Sequence, residues 1–138
     1  MGRKSIKSCL FINSDPMDQA NFVRAVTHAA PGTICFMAPN ALDALSIIRD
    51  NTIIPDYIFV DLMMPGLNAI EFLRLIKQIS VLKDIPVVVH ANQPVPDRLV
   101  DLKQAGAFAI HFRPYDHRGI LNFLSLYFHN DKTRVLMN

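Results

Sequence analysis

The chain alternates between two hydrophobic patterns. Short apolar runs recur at SCLFIN (8–13), TICFMA (33–38), DYIFV (56–60), IPVVVHA (85–91) and AFAIHF (107–112). They have the length and the β-branched or aromatic content of buried strands. Between them, apolar residues return at helical spacing: Phe22, Val23 and Val26 within 15–30; Ala41, Leu42, Leu45 and Ile48 within 40–50; Phe72, Leu73, Ile76 and Ile79 after Asn68. A shorter, more polar helix is predicted over 96–106 and a last one over 116–130. Punctuation residues mark the ends. Asp15 before Pro16 is an N-cap signature, Asn68 with Glu71 three residues on reads as a capping box, and Asp116 stands where the last helix would be capped. Pro31-Gly32 stops the first helix and Gly106 ends the fourth. The segment 131–138 reads as a tail, with Val135, Leu136 and Met137 apolar enough to dock on a neighbouring surface.

Five strands alternating with five helices predict an α/β fold over 6–130. The strands are apolar throughout, which implies a five-stranded parallel sheet covered on both faces. Right-handed crossovers make it a doubly wound, flavodoxin-like (βα)5 sandwich. Such sheets bind ligands outside the carboxyl ends of their strands, at a switch point. The candidates there are Asn13, Ser14, Asp61, His90, Ala91 and Arg113. Asp61 stands out because the apolar run YIFV leads straight into its carboxylate. A buried carboxylate without a partner is costly, so Asp61 either has a partner or emerges at an edge where it has a task.

Length and composition fit this picture. The chain has 138 residues, 51% of them hydrophobic, and a net charge of +2. That suits one domain with its own core. The charge is too small to imply nucleic acid or an acidic membrane as partner. No apolar run is long enough to cross a bilayer, and no secretory segment opens the chain, so a soluble, cytoplasmic protein is expected. Cys9 and Cys35 read as free thiols in buried strands. The first strand is followed by no glycine-rich phosphate loop, no Cys/His set has zinc spacing, and no nucleophile elbow is present. What remains on the rim is one carboxylate, one guanidinium and small polar groups.

Four stretches, FINSDP, VDLMMPGLNAIEFL, IPVVVHA and GAFAIHFRP, resemble the receiver domains of two-component response regulators. The Asp61–Pro65 piece, D-x-x-M-P, is the most specific. The resemblance implies a stand-alone signalling module, not an enzyme, in which Asp61 accepts a phosphoryl group from a histidine kinase or phosphotransfer protein. In that family an acid pair after the first strand holds magnesium, and a lysine and a hydroxyl bind the phosphoryl oxygens. An aromatic on the fifth strand reports the change. Here the acid pair falls on Asn13 and Ser14, the hydroxyl on Ala91, the lysine on Arg113 (still followed by Pro114), the aromatic on Ile110 and a loop glycine on Ala69. Magnesium is therefore expected to bind weakly or not at all, with Asp61, Ser14, Asp15 and the Met63 carbonyl as its only candidates.

Two readings stay open. In one, the chain is a phosphorelay receiver. In the other, it is a phosphorylation-independent pseudo-receiver that acts as an interaction module, with Arg113 in a permanent ion pair to Asp61 and Asp15 serving only as a cap. His90 reads as a packed core histidine on either. Partner proteins would use a surface containing Leu99, Leu102, Tyr115 and Arg118, which also leaves a homodimer open.

Overall fold

The computed structural model describes residues 7–51, 54–64, 66–91 and 96–111, together with Arg118, Leu121 and Leu124. Five parallel strands carry the architecture: β1 (Ser8–Ile12), β2 (Ile34–Ala38), β3 (Tyr57–Asp61), β4 (Val87–His90) and β5 (Ala109–His111). Four helices alternate with them: α1 (Pro16–Ala29), α2 (Ala41–Asn51), α3 (Ala69–Lys77) and α4 (Pro96–Ala105). The expected last helix and the 131–138 tail lie outside the described residues, apart from Arg118, Leu121 and Leu124, each of which is helical.

The strands lie in the order β2-β1-β3-β4-β5. From β1 the chain moves outward to β2 and then returns to the other side of β1 as β3. The switch point therefore falls between β1 and β3, where a doubly wound sheet opens its crevice. Alternation along the strands sorts the core into two clusters. Leu10 and Ile12 of β1 join Ile58, Val60, Val87 and Val89 beneath α2, α3 and α4. Cys9 and Phe11, one residue out of phase, join Phe59 and Val88 beneath α1 and Leu124. On this second face the ring of Phe22 stacks on Phe11 (centroids 4.0 Å apart) and leans on Phe59 at 5.1 Å.

The local signals explain the helix ends. Asp15 accepts a hydrogen bond from the Met17 N–H at 2.9 Å, and Pro16 needs no partner for the N–H it lacks. The α3 capping box is complete: Asn68 accepts from the Glu71 N–H, and Glu71 accepts from the Asn68 N–H. Gly106 follows α4 at φ 110°, a conformation that side chains with a Cβ rarely adopt.

The expected inner faces are buried at Phe22, Val26, Ala41, Ile48, Phe72, Leu73 and Ile76, and one residue of each stripe departs from the expectation. Leu42 is 61% exposed, and α2 buries Ala44 along with the expected Ala41 and Ile48. Val23 and Ile79 also face outward. Helical spacing alone leaves the edges of each face open, and the small residues Ala25 and Ala44 are fully buried within them. β2 is an edge strand and only partly buried, not the buried strand its composition suggests.

Candidate functional site

The rim at the carboxyl ends of β1, β3 and β4 gathers the polar residues. Asn13, just past β1, is 1% exposed. Its N–H donates to the Ala38 carbonyl at 3.0 Å, which ties it to the end of β2. Its side-chain oxygen accepts from the Asp15 N–H at 2.7 Å, and its backbone carbonyl accepts from Gln19 Nε2 at 2.6 Å. Asn13 thus shapes the β1–α1 turn, and its amide nitrogen reaches toward Asp18 Oδ2 at 3.5 Å. The Asp15 carboxylate is turned to its own helix as the N-cap, while Ser14 is exposed beside it.

Asp61 closes β3, level with His90 on β4, and is partly buried. Burial pushes its carboxyl up to about 6, against hydrogen bonding from the Met63 backbone that holds it down. The carboxylate of Asp18 adds a further upward push, and the Leu62 backbone a further restraint. Asp18 itself is raised by burial first and by Asp15 second, while the bond from Asn13 lowers it. The Asp18 charge thus bears on Asp61 from the β1–α1 side of the rim.

Asp18 is an acid whose charge reaches Asp61 and which the sequence did not single out. An acid in the first turn of a helix is read as a partner of the helix dipole. The available signal was its position one turn into the helix that starts on the reaction rim.

The remaining candidates divide. Ala91 is buried, with its N–H bonded to the His111 carbonyl at 2.8 Å, so this position carries a core methyl and no hydroxyl. His90 is buried, as read from the sequence, and its carbonyl accepts from the Leu62 N–H at 2.8 Å. Ile110 is half-buried against the larger core cluster. Met63 points its side chain outward. Arg113, Pro114 and Tyr115 lie outside the described residues, and with them the expected Asp61–Arg113 pair. Among the described residues, no group of three or more His, Cys, Asp or Glu side chains could hold a metal ion. The described helices include none long and apolar enough to cross a membrane.

One expected surface residue is misplaced. Leu102 is 0% exposed and belongs to the core beneath α4, so it cannot meet a partner. Leu99 is half-buried and Arg118 exposed, and among the described residues Val100 and Phe108 are exposed apolar side chains. A separate apolar groove, lined by Leu45, Ile48, Ile54, Ile79, Val81 and Leu82, lies at the opposite end of the sheet from Asp61.

Comparison with known proteins agrees with this fold. Residues 10–125 match the family model described as the response regulator receiver domain. Two-component response regulator ARR17 of Arabidopsis thaliana is 32% identical over 107 residues, covering 76% of this chain and 63% of that protein. Sporulation initiation phosphotransferase F of Bacillus subtilis is 31% identical over 81 residues, 59% of this chain and 62% of that protein. The chain thus spans somewhat less than two thirds of these relatives' length. Among solved structures, the Mn(2+)-bound form of response regulator Rcp1 superposes with a TM-score of 0.81 at 19% identity, covering 90% of this chain and 96% of that one. The phosphorylated cyanobacterial phytochrome response regulator RcpA does so with 0.82 at 18% identity, covering 92% and 96%. These two share the five-stranded parallel fold.

Proposed function

The chain belongs to the response regulator receiver domain family, and on that premise we propose that it is a phosphorelay receiver whose phosphoacceptor is Asp61. Receivers of this family work with histidine kinases or phosphotransfer proteins and are signalling modules. The observation that carries the proposal is the state of Asp61 itself. It stands on the rim at the β1–β3 switch point, with a carboxyl raised to about 6. Above that pH it is ionised, and it is a more basic nucleophile than an ordinary aspartate. An Asp61 oxygen would attack the phosphorus of a phosphohistidine. The phosphorus–nitrogen bond breaks, the imidazole leaves with the electron pair, and an acyl phosphate forms.

Attack of one anion on another needs a cation. The donors at the rim suit magnesium in kind, being hard oxygens. Asp61, the Met63 carbonyl and Asp18 are the residues that would hold it, since Asp15 is engaged as a cap and Asn13 in its turn. When bound, the ion would neutralise charge between the carboxylates and the phosphoryl oxygens. Asp18 then takes the part left vacant by the missing acid pair. Asp18→Asn is expected to weaken magnesium binding by about tenfold, roughly 1.4 kcal/mol. Titration followed by amide NMR near Asp61 measures this, and equal affinity in the two proteins would remove Asp18 from the site.

A second reading is favoured by Ala91. With a buried methyl where the family has a hydroxyl, a phosphoryl group at Asp61 lacks its usual link to the fifth strand. A pseudo-receiver that presents a constant surface, with Leu99, Val100, Phe108 and Arg118 in it, fits that loss. The deciding experiment is incubation with a small-molecule phosphodonor and magnesium, read by intact mass. The receiver reading expects a gain of one phosphoryl group that Asp61→Asn abolishes. An unchanged mass in folded protein would instead select the pseudo-receiver.

A further inference from the structure

Cys9 and Cys35 face each other directly in the β1–β2 ladder. Their sulfurs lie 3.6 Å apart. Neighbouring strands are spaced about 4.8 Å, which falls within the Cα separations of about 4.4–6.8 Å that disulfides span. Bond formation needs the sulfurs to close by about 1.5 Å, to the usual S–S length of about 2.05 Å. The two thiols are unequal. Cys9 is 0% exposed in the core beneath α1, whereas Cys35 is partly exposed on the edge strand. We propose that Cys9 and Cys35 form a thiol–disulfide couple, entered from Cys35 and closed by Cys9, that reversibly cross-links the edge strand to the centre of the sheet.

The chemistry assigns the order. The Cys9 thiol donates its hydrogen bond to Cys35, which lowers the Cys35 thiol, while that bond, burial and the charges of Cys35 and Asp56 push Cys9 up. Cys35 is therefore the more readily ionised of the two and the one that meets solvent, and thiolates are the attacking species. The oxidant is a small-molecule disulfide such as oxidised glutathione. Cys35 attacks one of its sulfurs, its S–S bond breaks and one glutathione thiolate leaves. Cys9 then loses its proton and attacks the Cys35 sulfur, and the second glutathione leaves. Two protein thiols are oxidised, one glutathione disulfide is reduced, and the two thiol protons finish on two glutathione molecules.

The test is incubation of the folded chain with oxidised glutathione, followed by intact mass, peptide mapping and thiol counting. The expected product has lost two hydrogens and two titratable thiols and yields a single Cys9–Cys35 peptide, all reversed by reduced glutathione. Cys9→Ser is expected to stop at a stable glutathione adduct on Cys35, and Cys35→Ser to form no adduct on Cys9. Should Cys9→Ser fail to fold, Cys9→Ala leaves a small apolar residue in the same core position and gives the same trapped adduct. A lasting glutathione adduct on the unmutated chain overturns the couple, as does a disulfide between two chains. Unreacted thiols in folded protein overturn it equally.

Discussion

Phe22→Ala is expected to lower the unfolding free energy by about 3–5 kcal/mol. Phe22 is fully buried and is the largest of the side chains that α1 packs on the sheet, stacked on Phe11 and tilted against Phe59. Truncation removes the transfer free energy of a whole ring and leaves a void between two aromatics. Those two are fixed on adjacent strands and cannot close on it. Domains of this size have total stabilities of about 5–15 kcal/mol, so the variant should unfold at much lower urea concentration with an unchanged slope. Far-ultraviolet circular dichroism against urea measures both. Met17→Ala on the outer side of the same helix provides the comparison and should change stability by less than about 0.5 kcal/mol. A small loss for Phe22→Ala would mean that α1 is held by something other than this aromatic contact.

Asp61→Asn is expected to stabilise the metal-free protein by about 1–2 kcal/mol at pH 7.5. The folded carboxyl stands at about 6 against an ordinary value of 3.8. The full shift of about two units corresponds to about 3 kcal/mol, and solvent screening at this partly exposed rim reduces it. The sign follows from proton binding. The folded state holds the proton more tightly than the unfolded state, so this group's contribution is fully present below pH about 4 and is lost as the pH rises through about 6. Wild type and Asp61→Asn should therefore have similar stability near pH 4, diverge across that window in favour of asparagine, and keep a constant gap above it. Urea unfolding in EDTA at pH 4 and 7.5 checks this. The permanent Asp61–Arg113 ion pair predicts the reverse, with Asp61→Asn destabilising at pH 7.5, so the measurement also separates the two readings of the aspartate.

The order of elements was legible because strands and helices carry different periods, and several changes of period are flagged by residues such as Pro16, Asn68 and Gly106. The rim followed from the order of elements, and Asp61 from being the one carboxylate that ends an apolar strand. What periodicity lacks is phase and neighbourhood. Leu42 and Leu102 are equally apolar and both sit on helical stripes, yet one faces water and the other the core. The difference is set by where each helix lies across the sheet, which no local spacing records. β2 reads like β1 in composition but lies at the edge, because the order of strands is decided by crossovers. Asp18 escaped notice for a related reason. Its charge bears on Asp61, which is distant in sequence and comes within electrostatic reach only after β1 and β3 pair.

The strand order also governs when the molecule can form. β1 pairs with β2 on one side and β3 on the other, and both partners are synthesised after it. No hairpin is present among the described strands, so every ladder must close over an intervening helix before it gains a contact, which slows folding relative to local pairing. A nascent chain that has not yet reached Tyr57 can hold β1 only by one edge. Its other edge, carrying Leu10 and Ile12, stays open to mispairing with another chain. The strand that ends in Asp61 is thus the one whose arrival covers the open edge of β1, and it brings Asp61 to the β1–β3 switch point at the same moment.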